Sequence, residues 1–221
     1  MYVYCALVDS KSRVVDEFVD SVDVSRRMLS SLPTEDLHYL NLFAAPAGSY
    51  TLKAAVRTSD NKRLGMKEQA VAAAPADRSA VSLSEVLITN RIQASGGQGQ
   101  TPSDSGLTLG DTRLLPNPAR QFLPSDSLFL YFQVYLPQGR ELKETDLSVA
   151  IHFMKDNEIV NRLEPRKITD TQSTIPGVVN FATAVPLNGL APGEYTLQVQ
   201  AIDHTARKFA FQRTSFTVLD R

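Results

Sequence analysis

The chain of 221 residues has no tryptophan, one cysteine and three histidines. A lone thiol, Cys5, excludes an intrachain disulfide framework and any cysteine-based zinc site. Lys plus Arg number 23 against 24 Asp plus Glu, so there is no basic excess with which to neutralise a nucleic-acid backbone. No apolar run approaches the roughly 20 residues of a helical membrane span. There is also no Gly-rich phosphate loop, no Gly-x-Ser-x-Gly elbow and no His-Glu-x-x-His pair. His38, His152 and His204 lie far apart along the chain. A metal needs several converging ligands, so neither a metal nor a cofactor is expected. Cys5 lacks a neighbouring His or cluster of cations to make it a nucleophile. What is present is 43% hydrophobic residues, enough to bury a core, in a length that suits one large domain or two small ones.

The chain opens Met1-Tyr2-Val3-Tyr4-Cys5-Ala6-Leu7-Val8, closed by Asp9. The run is short and has no cationic lead, so it reads as a β-strand and not as a signal peptide. From a strand with no lead-in, the expectation is that the natural polypeptide begins further upstream.

An internal repeat organises the rest. Gly48-Ser49-Tyr50-Thr51-Leu52 matches Gly193-Glu194-Tyr195-Thr196-Leu197 at an offset of 145. At that offset Lys62-Arg63 meets Arg207-Lys208, Val71 meets Phe216, and Val14-Val15 meets Ile159-Val160. Tyr2, Tyr4, Ala6 and Val8 then meet Leu147, Val149, Ile151 and Phe153, so residues 2–73 align with 147–218 in one ungapped register. Within each copy apolar residues alternate with polar ones, the period of a half-buried strand, and turn residues divide the strands. This pattern predicts an all-β chain of two tandem immunoglobulin-like or fibronectin-III-like sandwiches.

The expected domains are 1–76 and 77–221. The first is read as incomplete, because copy two is preceded by strand-like segments that copy one lacks. These include Val81–Leu83, Val86–Ile88 and the apolar run Leu128–Tyr135. Residues 94–106, rich in Gly, Gln and Ser, read as a mobile loop. An unfinished first sandwich would leave its inner face, with Tyr4, Ala6 and Leu52, exposed or covered by a partner. A short helix is an option over residues 23–32 or from Thr34.

The Gly-x-Tyr-x-Leu elements predict that Tyr50 and Tyr195 are structural, as in the tyrosine corner of Greek-key sandwiches. Asp156 and Glu158 flank Asn157 at a turn with too few oxygens for calcium. Lys62, Arg63, Arg207 and Lys208 sit at hairpin tips and, with Arg120 in Pro116-Asn117-Pro118-Ala119-Arg120-Gln121-Phe122, form the candidate interaction surface. Basic tips equally protect sheet edges from aggregation.

The strings Pro46–Arg57, Arg63-Leu64-Gly65, Leu83–Leu87, Pro116–Phe122 and Ala191–Leu197, in that order and spacing, resemble the C-terminal region of von Willebrand factor A-related proteins of Acidobacteria. The resemblance covers nearly the whole chain. It implies a secreted or envelope-associated protein whose N-terminal A domain binds a metal through Asp-x-Ser-x-Ser. Neither that domain nor that motif is in this sequence, so no metal site carries over. The expected function is a non-enzymatic structural or adhesive module, a tail or spacer that engages a protein partner or an upstream domain of its own polypeptide. Homo-oligomerisation through exposed sheet edges is the further expectation. The alternative is a carbohydrate-binding accessory module, for which 8% aromatics without tryptophan offer few stacking rings.

Overall fold

The computed structural model describes residues 1–22, 39, 41, 43, 45–73, 77–94, 107–115, 117–169 and 175–220. Among these the chain is all-β. The strands are β1 (Tyr2–Asp9), β2 (Val14–Ser21), β3 (Gly48–Arg57), β4 (Leu64–Ala73), β5 (Ser82–Leu83), β6 (Leu87–Thr89), β7 (Ile92–Ala94) and β8 (Leu107–Leu109). They continue with β9 (Thr112–Leu114), β10 (Gln121–Phe122), β11 (Ser127–Tyr135), β12 (Leu147–Lys155), β13 (Glu158–Ile168), β14 (Val178–Pro186), β15 (Gly193–Asp203) and β16 (Lys208–Val218). A three-residue 3-10 turn at Leu142–Glu144 precedes β12. The two helix options over 23–36 and most of the loop at 94–106 lie outside the described residues, although Ala94 itself ends β7.

The chain divides into two compact units, Met1–Pro75 with Gln93–Pro116, and Ala76–Ile92 with Asn117–Arg221. The first division falls between Pro75 and Ala76. The second is new: residues 93–116, read as part of the C-terminal domain, cluster with the first unit. The chain crosses between units more than once, and strand periodicity carries no signal of which unit a short hairpin joins.

In the first unit β2-β1-β3-β4 form one antiparallel sheet. Val3, Cys5 and Leu7 share a face with Leu52, Ala54 and Val56, their partners across the ladder. Val3 and Leu7 are buried, and Phe18, opposite Cys5, packs on Tyr39 and Phe43 at ring separations of 6.0 and 5.2 Å. Tyr2, Tyr4, Ala6 and Val8 occupy the other face. The expected inner set of Tyr4, Ala6 and Leu52 is therefore split between two faces, because strand parity places Leu52 with Leu7.

The second unit is a β-sandwich. One sheet runs β10-β16-β15-β12-β13; the other runs β14-β11-β5, with β6 also pairing β11. Leu128, Leu130, Phe132 and Val134 alternate with half-exposed neighbours along β11. Their buried set meets Leu147, Val149, Ile151 and Phe153 from β12 and Leu197, Val199 and Ala201 from β15 in one apolar core.

The order β2-β1-β3-β4 repeats as β13-β12-β15-β16. The ladders also correct the ungapped alignment. Tyr2 pairs Arg57, whereas Leu147 pairs Asp203, one residue further than the offset of 145 allows. The structural equivalents of Val149, Ile151 and Phe153 are therefore Val3, Cys5 and Leu7, not Tyr4, Ala6 and Val8. The extra residue sits in a turn. Asp9 N donates to Arg13 O at 2.9 Å around a three-residue turn with Ser12 at φ 62°. Lys155 pairs Glu158 across only Asp156 and Asn157, at φ 52° and 63°, a two-residue type I′ turn. Because strands have period two, one residue exchanges every side chain between faces. Asp9 holds the longer turn, accepting the backbone N–H groups of Arg13 and Lys11 and the Arg13 guanidinium. Those bonds, the Arg13 N–H first, hold its carboxyl below the usual 3.8.

Candidate functional site

Tyr195 is buried and its hydroxyl donates to the Ala191 carbonyl at 2.6 Å. Its ring stacks on Phe216 at 5.5 Å, and the Lys155 ammonium lies 5.3 Å from the ring centre while donating to Pro192 O. Tyr50 repeats the contact, donating to Pro46 O at 2.6 Å, but stays half-exposed. Both bonds span four residues back to the turn before the strand, the geometry of a tyrosine corner. Tyr195→Phe is expected to cost about 1–1.5 kcal/mol and Tyr50→Phe no more than about 0.5 kcal/mol, since only the first is deeply buried. Urea unfolding of the two variants beside the parent chain checks both values.

The hairpin tips are built alike. Thr58 N donates to Arg63 O, and Asp203 pairs Lys208, so each tip closes four residues, 59–62 and 204–207. Asp60 braces the first through Thr58 Oγ1 and Lys62 N; Asp203 Oδ1 accepts Ala206 N in the second. Lys62, Arg63, Arg207 and Lys208 are all exposed. Immediately after each cation pair the chain enters β4 or β16 with apolar side chains on the outer face. Leu64 and Met66 are 62% and 74% exposed, and Phe209 and Phe211, their equivalents at offset 145, are 66% and 49% exposed. The ladders put both pairs at outward positions, yet each position holds a large apolar side chain.

The outer face of the first sheet extends this surface. One row crosses it as Val19-Tyr4-Ala55-Met66, and the next as Ser21-Tyr2-Arg57-Leu64. The Arg57 guanidinium lies over both tyrosine rings, at 5.3 and 5.5 Å, and donates to Tyr4 Oη at 2.8 Å. Strand alternation places Tyr2 and Tyr4 together but gives no hint of Arg57, which is 53 residues beyond Tyr4.

Arg120 is exposed, with φ 52°, and its backbone is fixed on both sides. Its N–H donates to Asn117 and its carbonyl accepts Thr217 N. Asn117 also bonds Asn90, which bonds Asp126. This network seats Phe122 in the core and leaves the Arg120 side chain at a polar cleft of about 450 Å³ with Asp156, Asn157 and Glu194.

His204 Nε2 lies 2.8 Å from Ser148 Oγ, beside a cleft of about 430 Å³ also lined by Asp146, Lys167, Pro165 and Ile202. The two residues are 56 apart in sequence, and only the β12–β15 register joins them. Lys167 engages the Asp146 carboxylate at 2.8 Å and is the first cause holding it below the usual 3.8. Among the described residues no acid is hydrogen-bonded to His204 Nδ1. His152 is half-buried on β12, with Nδ1 unbonded among the described residues, and His38 lies outside them. Burial pushes the Cys5 thiol up, away from the reactive thiolate. Among the described residues no group of three metal-ligating side chains forms, and no helix is long and apolar enough to cross a membrane. No family model matches the chain, and no curated protein matches it either.

Proposed function

We propose that the chain is a non-enzymatic interaction module, built of immunoglobulin-like or fibronectin-III-like units, that engages a protein partner through its outer sheet surfaces. The observation that carries this reading is the recurrence of exposed apolar pairs, Leu64 with Met66 and Phe209 with Phe211, at equivalent positions of the repeat. Large apolar groups on outward strand positions are costly to leave in water and commonly mark contact surfaces. Their duplication argues that the positions serve one purpose. The resemblance to von Willebrand factor A-related proteins supports placing such a module outside the cytoplasm, as a tail or spacer behind a binding domain.

A photocrosslinking amino acid placed at Met66 or Phe211 tests the proposal against an extract of the source cells. Discrete adducts from these positions, absent when the probe replaces exposed Glu85, are the expected result. No adducts, or the same adducts from all three positions, would overturn it.

A further inference from the structure

The two sheet edges share more than an apolar pair. The first reads Lys62-Arg63-Leu64-Gly65-Met66-Lys67 and the second Arg207-Lys208-Phe209-Ala210-Phe211-Gln212-Arg213. In each, two tip cations lead into an apolar, small, apolar triplet, and a further cation follows. The triplet's middle residue, Gly65 or Ala210, faces inward, and a Cβ built on Gly65 would meet nothing within 4 Å. Both segments are sheet edges among the described residues. β4 ends its sheet and pairs only β3. β16 pairs β15 throughout but β10 only at Thr217 and Val218; β5 also lies close to β16, and Lys208–Ser215 have no ladder partner on the other side.

An open edge presents backbone N–H and C=O groups along its length, and the partner that satisfies them in register is another extended backbone. The outer side chains Leu64 with Met66, and Phe209 with Phe211, set the requirement for that strand's own side chains: apolar at alternate positions, on the same face. Charge sets the rest. None of Lys62, Arg63, Lys67, Arg207, Lys208 and Arg213 forms an ion pair with a described carboxylate. The one acid on the first edge, Glu68, is engaged by Lys53 at 3.0 Å. On the first edge Lys67 lies on the face opposite Leu64 and Met66, so a complementary strand carries acids between its apolar residues. On the second, Arg213 shares the face of Phe209 and Phe211, lies over the Phe211 ring at 5.4 Å and donates to Gln198, so there the acids answer the tip cations Arg207 and Lys208. A second copy of either edge would bring further cations and is the poorer match.

We propose that both edges are docking strands for an extended acidic peptide segment of a partner protein, apolar at every second residue, which adds to each sheet as a further strand. This rests on the interaction-module reading and names the chemistry of the partner.

The test is calorimetric titration of the full chain with a blocked seven-residue peptide alternating glutamate and valine. Its counterpart with lysine for glutamate, and a version with proline at the central valine, are the controls. The acidic peptide is expected to bind at two sites, to weaken about tenfold between low and high salt, and to exceed both controls by at least about tenfold. Met66→Lys and Phe211→Lys are each expected to remove one site, and together both. These side chains are exposed, so folding is not at stake. Equal binding of the lysine peptide, binding unchanged in the double variant, or no binding of the acidic peptide would each overturn the proposal. If the acidic peptide fails while photocrosslinks still form at Met66 and Phe211, the strand chemistry falls and the module reading stands; if both fail, both fall.

Discussion

Phe216→Ala is expected to destabilise the second unit by about 4 kcal/mol, the middle of the range for deleting a buried ring. Phe216 is 2% exposed on β16 and is the meeting point of three other rings. It stacks on Tyr195 at 5.5 Å and meets Phe122 and Phe153 edge-on at 5.8 and 6.0 Å. Through Phe122 it anchors the chain that brings Arg120 to the surface, and through Tyr195 it holds the turn at Ala191. Alanine leaves a cavity that these neighbours, each held by its own strand, cannot fill. Phe216→Leu keeps most of the volume and is expected to cost about 1–1.5 kcal/mol. The repeat supplies an internal comparison. Val71 is the equivalent residue, half-exposed and smaller, and Val71→Ala is expected to cost only about 1 kcal/mol. Native-state hydrogen exchange checks the pair. Phe216→Ala is expected to release the amides of β12 and β15 while sparing those of β1 and β3, and an equal release in both sheets would refute that assignment.

The alternation of residues made most of this fold readable. Leu147, Val149, Ile151 and Phe153 face the core as their spacing requires, and the apolar set of β11 alternates within an otherwise continuous hydrophobic run. The tyrosine elements were visible because a turn, a glycine and a tyrosine recur at fixed spacing. The register of the first copy was not. Asp9-Ser10-Lys11-Ser12 and Lys155-Asp156-Asn157-Glu158 are both good turn sequences, and composition does not count how many residues a turn leaves unpaired. That single residue moved Tyr4 to the outer face and Cys5 to the inner one. The placement of 93–116 was hidden for a different reason: short strands with few apolar residues pack where the tertiary structure has room, and local pattern is silent on it. The exposed pairs Leu64/Met66 and Phe209/Phe211 were present in the repeat alignment all along. They became legible only once the ladders showed that both occupy outer, edge positions.

The connection that sets β14 against β11 depends on one glycine. Val178 N donates to Ile175 O at 3.1 Å around Pro176 and Gly177, and Gly177 has φ 69°, the arrangement of a type II turn. The Gly177 carbonyl accepts Leu136 N at 2.8 Å and the Arg78 guanidinium at 2.9 Å. Arg78 donates also to Leu136 O and Pro176 O, both at 3.3 Å, so one planar fork gathers three carbonyls from two segments. A Cβ at Gly177 would overlap the Arg78 Nη2. Gly177→Ala therefore meets two penalties, a left-handed backbone and the displaced guanidinium, and is expected to cost about 3 kcal/mol. Arg78→Ala is expected to cost about 2 kcal/mol by leaving those carbonyls short of a donor, and Arg78→Lys recovers little, because a point ammonium cannot span three acceptors. The two losses overlap. With Arg78 already removed, the alanine at position 177 has nothing to collide with, so the double variant is expected to be destabilised by less than the sum of the singles, by about 1 kcal/mol or more. Urea unfolding of the four proteins measures that coupling. Strict additivity would mean that the guanidinium and the turn act independently, contrary to the contact between them.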